Sequence, residues 1–182
     1  RLSYDVNNTY LGWKDDLTPY EAFLSLKPSH SLTLDAGKKV AKWGKGYAWN
    51  PVAFIDRPKD PDEPDLALEG YWVLSADWIR SFAGPLKTLA FTPVFLPVLD
   101  GVNDDFGKTG QANIAAKLYL LLYDTDIDFI IFTGGSRTTR YGVDFSRNIT
   151  PNFEVHGEFA YIEDFQKRYI DSRGNILNST YD

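Results

Sequence analysis

The chain of 182 residues contains no cysteine. Disulfide bonds and thiolate metal sites are therefore excluded. The chain also lacks any run of about 18 apolar residues, so the sequence predicts no transmembrane helix. Transmembrane strands would escape that search, because only every second side chain of such a strand is apolar.

Basic residues are in the minority. Lys and Arg number 19 against 25 Asp and Glu, which gives a formal net charge of −6 and a pI near 4.9. Proteins that bind nucleic acids usually present basic patches to the phosphates. We therefore expect no nucleic-acid partner.

Aromatic residues, in contrast, make up 15% of the chain, and apolar side chains recur at every second position along most of it. Tyr141, Val143 and Phe145, for example, alternate with charged and small residues. This period of two predicts β-strands, and no sustained helical period is present. About nine strands are predicted, over residues 2–13, 21–27, 31–43, 71–82, 86–98, 111–123, 126–133, 139–146 and 152–162. Pro93 and Pro97 interrupt the fifth of them, which indicates an edge strand, a bulge or an early end.

The connections alternate between short and long, which is the order of an antiparallel up-and-down sheet. Predicted strands of about 10 to 13 residues exceed those of ordinary globular sheets and match the length that crosses a bilayer at a tilt. Aromatic residues also concentrate near the strand ends, as at membrane–water boundaries. We therefore predict an all-β fold, an antiparallel up-and-down transmembrane β-barrel, whose apolar face contacts lipid and whose charged face lines a wet lumen. A soluble β-barrel with the aromatic rings in its core is the alternative.

The segment SLTLDAGKKVAKWGKGYAWNPVAF, residues 31–54, carries a more specific pattern. A strand with Gly37 and Lys38 leads into Trp43-Gly44, then into Asn50-Pro51 and a loop rich in Pro and Asp. This pattern resembles the Gram-negative outer-membrane porin-like β-barrel family. The resemblance implies a bacterial outer-membrane location, with the lipid bilayer and lipopolysaccharide as surroundings, and a barrel of more strands than are visible here.

The number of predicted strands also indicates a larger barrel. Single-chain bacterial barrels have an even number of strands, and residues 171–182 show no alternation. We therefore expect residues 1–182 to form a single β-barrel domain that is incomplete at its C-terminal end.

Charged side chains on the polar faces of the predicted strands are the candidates for lining a pore. They are Asp35, Lys39, Asp77, Lys117, Arg140, Asp144, Glu154, His156 and Glu158. Acidic groups exceed basic ones modestly among the inward positions, and acidic rings favour cations. A slight cation preference is expected.

The Pro- and Asp-rich segment 44–70 has two interpretations. It is either a solvated external loop, or a loop that folds inward to narrow the pore or to hold a partner protein. Its candidate residues are Arg57, Lys59, Asp60, Asp62, Glu63 and Asp65.

Evidence for covalent chemistry is weak. His156 alternates with Glu154 and Glu158, which is compatible with an acid–base pair or a weak metal site, but polar lumen faces routinely carry such groups. The run DTDID lacks the later Gly and Glu of a calcium loop. We predict no catalytic residue, no metal site and no cofactor, and do not expect an enzyme.

The leading functional hypothesis is an outer-membrane porin or channel that passes small hydrophilic solutes. Three alternatives stay open: a barrel that acts as a sleeve or scaffold for a partner protein, an outer-membrane hydrolase using His156, and a soluble β-barrel that binds an apolar ligand.

Overall fold

The computed structural model describes residues 2–4, 10–13, 19–46, 49–170 and 176–181. Their regular structure is almost entirely β-strand, with one short 3₁₀ helix at Pro64–Leu68. In chain order the strands are β1 (Leu2–Tyr4), β2 (Tyr10–Trp13), β3 (Ala22–Ser29), β4 (Leu32–Lys39), β5 (Tyr71–Ser81), β6 (Leu86–Val98), β7 (Gln111–Leu122), β8 (Thr125–Gly134), β9 (Arg140–Thr150), β10 (Phe153–Ile162), β11 (Phe165–Ile170) and β12 (Ile176–Tyr181).

Strands β3 to β10 form one eight-stranded antiparallel sheet, in which each strand pairs with the next one along the chain. The predicted all-β, up-and-down arrangement is thereby confirmed for these strands. The β7–β8 turn consists of Tyr123 and Asp124, whose φ angles of 50° and 56° suit a two-residue hairpin. Strands β3 and β10 form the two edges, so the sheet is not closed within the described residues.

The number and bounds of the strands differ from the prediction near both ends of the chain. In place of one predicted strand over 2–13, Leu2–Tyr4 and Tyr10–Trp13 form β1 and β2, which pair with each other. The segment in which no alternation was found contributes β12, which pairs with β11 along its full length. The described residues therefore contain twelve strands instead of about nine. Backbone pairing defines these six-residue strands, and so short a segment offers little periodicity to detect.

Strand β6 continues through both of its prolines and lies inside the sheet, so the prediction of an edge or an early end was wrong. Pro93 and Pro97 pair with β7, but neither has a partner on β5. Between Pro97 and Trp72 of β5 the side chain of Asn103 takes the place of direct strand pairing. Its Oδ1 accepts a hydrogen bond from Trp72 N at 2.8 Å, and its Nδ2 donates to Trp72 O at 2.8 Å and to Pro97 O at 2.7 Å. Asn103 thus replaces the ladder contacts that proline cannot make.

The sheet has two unlike faces. One, the covered face, lies beneath residues 40–46 and 49–58 and carries the buried core. The other, the open face, presents large apolar side chains on strand after strand. The apolar residues of β9 and β10 that the sequence assigns to a lipid-facing side are exposed: Val143 38%, Phe145 43%, Val155 39% and Phe159 68%. These four side chains are not part of the buried core.

Candidate functional site: a loop docked on the covered face

Residues 40–46 and 49–58, called the docked loop below, fold over the covered face of the sheet. Val52, Phe54 and Ile55 are buried there, and they belong to the same apolar cluster as Ile130 and Phe132 of β8. A Cβ atom on Gly142 would lie 3.0 Å from Val52 Cγ1 and 3.2 Å from Phe54 Cζ. The missing side chain at Gly142 therefore makes room for the loop.

Asp56 closes the docked loop on itself. Its Oδ1 accepts hydrogen bonds from Ala41 N at 2.8 Å and Lys42 N at 3.1 Å, and its Oδ2 accepts from Trp43 N at 2.9 Å. Burial, the largest influence, raises the pKa of Asp56, and these N–H donors oppose it only in part. One carboxyl group thus holds three consecutive backbone amides in place.

Lys45 connects the docked loop to strands β8, β9 and β10. Its Nζ lies 2.8 Å from Asp128 Oδ2 and 3.2 Å from Asp144 Oδ1, while the backbone amides of Lys45 and Gly46 both donate to Glu158 Oε1. Burial lowers the pKa of Lys45, but the hydrogen bond and charge of Asp128 and the charge of Asp144 outweigh it, so that pKa is raised. The ammonium group is therefore charged and bridges β8 and β9.

The connection between β6 and β7 adds a second layer over the covered face. Phe106 is buried, with its ring 5.0 Å from that of Tyr71 and 5.7 Å from that of Phe132. The Arg137 guanidinium stacks 3.7 Å from the Phe106 ring centroid, and its Nε donates to Phe106 O. Burial lowers the pKa of Arg137. This layer fixes one wall of the cleft described next.

A cleft of about 530 Å³ opens beside the docked loop. Its lining includes the cationic side chains Lys42, Arg57, Lys59, Arg137 and Arg140, and Asp56 is the one acidic residue among the lining residues. Trp49, which is 80% exposed, stands at its edge. The cleft is therefore positively charged, although the chain as a whole is acidic.

Strand register places all nine sequence-predicted pore-lining residues on the covered face. They do not share one environment. Asp35 is buried and paired with Lys39, whereas Asp77 is exposed and accepts a 2.7 Å hydrogen bond from Thr92. Lys117 lies 5.9 Å from the ring of Trp43. Asp144 is fully buried beneath Lys45 instead of lying in water.

The side chain of His156 lies beside that of Glu154 on β10. Its Nδ1 is 3.9 Å from Glu154 Oε1, and that same oxygen accepts a 2.6 Å hydrogen bond from Ser146. Within the described ranges no group of three or more His, Cys, Asp or Glu side chains could hold a metal ion.

The predicted loop residues divide into two sets. Arg57 is largely buried, where it pairs with Asp105 and lies 3.5 Å from Glu69 and 4.6 Å from the ring of Tyr71. Lys59 donates to Gly46 O at 2.9 Å. The four acidic candidates are exposed: Asp60, Asp62, Glu63 and Asp65. The segment is therefore exposed over residues 58–65, while Val52, Phe54 and Ile55 before it are buried against the sheet.

Sequence reasoning missed the residues that hold the docked loop, above all Lys45 and Asp56. A signal for the docking surface was present, because Ile130 and Phe132 break the polar face of β8. Both are buried, at 4% and 0% exposure, as members of the cluster that contains the loop residues. An apolar pair on a polar face indicates a covering segment.

Comparisons of the chain with models of protein families, with curated proteins and with solved structures found no match. The resemblance to the outer-membrane porin-like family therefore stays a prediction from the sequence. No helix in the described part of the chain is long and apolar enough to cross a membrane.

Proposed function

We propose that the chain forms part of the wall of a bacterial outer-membrane channel for small hydrophilic solutes, with the docked loop narrowing the lumen. The observation that carries the proposal is the contrast between the two faces of the sheet. Large exposed apolar side chains occupy the open face, including Leu74 at 56% and Ile114 at 58% exposure. Soluble proteins rarely expose contiguous apolar surfaces of this kind, whereas lipid tails cover them.

The covered face supports the same proposal. Its charged and polar groups would be costly in lipid, so this face is suited to a water-filled interior. A soluble β-barrel that binds an apolar ligand would place the rings of the open face in its core, and their exposure disfavours that alternative.

The docked loop gives the proposed channel a constriction. It lies across the middle of the sheet and is held by apolar packing, by the three N–H bonds to Asp56 and by Lys45. A loop held at so many points narrows a lumen permanently instead of closing it at intervals.

The absence of native cysteine permits a sharp test of the two faces. Glu154→Cys and Asp77→Cys place a thiol at exposed positions of the covered face, and Leu74→Cys and Phe159→Cys place one at exposed positions of the open face. In intact outer membranes we expect a charged, water-soluble thiol reagent to label only the first pair. A lipid-soluble maleimide should label the second pair. Equal labelling of all four by the charged reagent would contradict the proposal.

Conductance tests the channel itself. Reconstitution into planar bilayers should give discrete current steps. The sign of the reversal potential in a salt gradient tests the slight cation preference, which exposed carboxylates such as Asp77 and Glu154 favour and the basic cleft opposes. Silent bilayers containing folded, heat-modifiable protein would argue for the sleeve alternative.

A further inference from the structure

We propose that the basic cleft beside the docked loop binds the carboxylate of a small organic acid, whose apolar part lies against Trp49. This inference rests on the proposed function and deepens it, because it makes organic anions a class of solute that the channel holds on its way through.

Charge balance in the cleft is the first argument. Five cationic side chains line it, and Asp56 is the one carboxylate among the lining residues. Both oxygens of Asp56 already accept hydrogen bonds from the backbone amides of residues 41–43. Asp56 thus supplies a single negative charge against five positive ones, and its oxygens are directed to the loop backbone.

Three of the five cations have partners in the protein. Arg57 pairs with Asp105 and Glu69, Lys59 donates to Gly46 O, and Arg137 donates to Phe106 O. These contacts fix the walls of the cleft. They also make these three side chains poor candidates for holding a ligand alone.

Arg140 and Lys42 differ from them. In the part of the chain that the structure describes, neither side chain has a carboxylate within 4.0 Å. The Nε of Arg140 is buried and has no hydrogen-bond acceptor. Because Arg140 lines the cleft without a paired carboxylate among the described residues, its guanidinium offers planar N–H groups from which a carboxylate in the cleft can accept hydrogen bonds.

The cleft also offers apolar surface. Trp49 is 80% exposed, and Pro51 and Phe54 lie on the same lining. An exposed indole beside cationic groups suits a ligand with a flat apolar body and an anionic end. The volume of about 530 Å³ is large enough for a small organic acid.

Calorimetric titration of the detergent-solubilised protein tests the site without requiring conductance. We use benzoate as the probe, with benzylamine as its cationic counterpart and inorganic phosphate as an anion without an apolar part. Saturable benzoate binding with a Kd of about 1 mM or tighter is expected. Benzylamine should show no saturable binding, and phosphate should bind at least about tenfold more weakly than benzoate.

Variants locate the binding. Arg140→Gln should weaken benzoate binding about tenfold or more, and Arg140→Lys should restore part of the loss because it keeps the charge but not the fork. Lys87→Gln is the matched control, since it removes an exposed cation near the turn between β5 and β6, outside the cleft. Trp49→Ala should weaken benzoate more than phosphate.

Three results would overturn the inference: no saturable benzoate binding to the folded wild type, equal binding of benzoate and benzylamine, or unchanged binding by Arg140→Gln. If phosphate binds as tightly as benzoate, the claim that the ligand has an apolar organic part is overturned. Bilayer recordings separate this inference from the channel proposal. If the bilayers are silent but benzoate still binds, the channel proposal alone is rejected. If the protein conducts, benzoate does not reduce the conductance and calorimetry detects no binding, the binding site alone is rejected.

Discussion

The ammonium group of Lys45 lies 2.8 Å from the carboxylate of Asp128, so a residue of the docked loop neutralises a buried acid on the covered face of the sheet. Asp128 stands directly opposite Asp144 in the β8–β9 register, and Lys45 is 3.2 Å from that second acid as well. One cation therefore contacts two neighbouring carboxylates.

Removing this cation should release the loop. In Lys45→Gln the two carboxylates keep their burial but lose their counter-ion, and we expect a loss of about 2–3 kcal/mol in the free energy of unfolding, since Lys45 is not wholly buried. Amide hydrogen exchange of residues 43–56 should accelerate. The control is Lys87→Gln, which removes an exposed ion pair with Asp124 and should leave both measurements nearly unchanged.

Asp56→Ala should undo the closure of the loop. Three backbone N–H groups would lose their acceptor, which predicts a loss of about 1–3 kcal/mol in the free energy of unfolding, measured by guanidinium titration. Exchange should accelerate first at the amides of Ala41, Lys42 and Trp43, and the β7–β8 turn serves as the internal reference. Unchanged protection of those three amides would contradict the role assigned to Asp56.

The raised pKa of Asp56 predicts a pH dependence. The folded protein binds this proton more tightly than the unfolded chain, whose carboxyl titrates near 3.8. The contribution of Asp56 to the free energy of unfolding should therefore fall as the pH rises from 3.8 through the raised pKa, and stay constant above it. The difference in stability between the wild type and Asp56→Asn, measured across that range, should decrease with pH. An increase would show that the N–H donors dominate.

A side chain at position 142 should push the loop away. Gly142→Val brings methyl groups against Val52 and Phe54, and overpacking of this kind costs about 1–3 kcal/mol. In the proposed channel the displaced loop should also increase the conductance. The double variant Gly142→Val/Val52→Ala provides the control, because it returns space to the same contact; it should recover much of the lost stability and lower the conductance again.

Charge on the open face distinguishes lipid from water around the sheet. Val143→Arg places a cation on β9, and a charge facing the hydrocarbon costs up to about 2–4 kcal/mol. We therefore expect a lower yield of folded protein in the membrane. Asn148→Arg, at an exposed position of the same strand, is the matched control. Equal yields of the two variants would mean that the open face is not in lipid.

The strands of the sheet could be predicted from the sequence, because the alternation of apolar and polar residues is contained within each strand. The covered and open faces follow directly from that period, as the opposite exposures of Asp144 at 0% and Phe145 at 43% illustrate. The two short strands β11 and β12 were missed because their pairing depends on backbone contacts between segments and not on a repeated pattern.

The docked loop was not predictable in the same way. Its contacts join residues that are distant in the chain, and nothing local to Lys45 or Asp56 indicates a buried partner. Composition left both a solvated loop and an inward-folding loop open, and the structure shows residues 58–65 exposed and Val52, Phe54 and Ile55 buried. The local signal was the pair Ile130 and Phe132, whose apolar side chains on a polar face indicate that another segment covers β8.

The bond between Lys45 N and Glu158 also constrains the order of folding. These residues are 113 positions apart, so the loop cannot reach its final place until β10 has been synthesised and has joined the sheet. Contacts of such long range form late, because closing the intervening chain has an entropic cost. The sheet would assemble hairpin by hairpin while its covered face is still bare, and the loop would dock last.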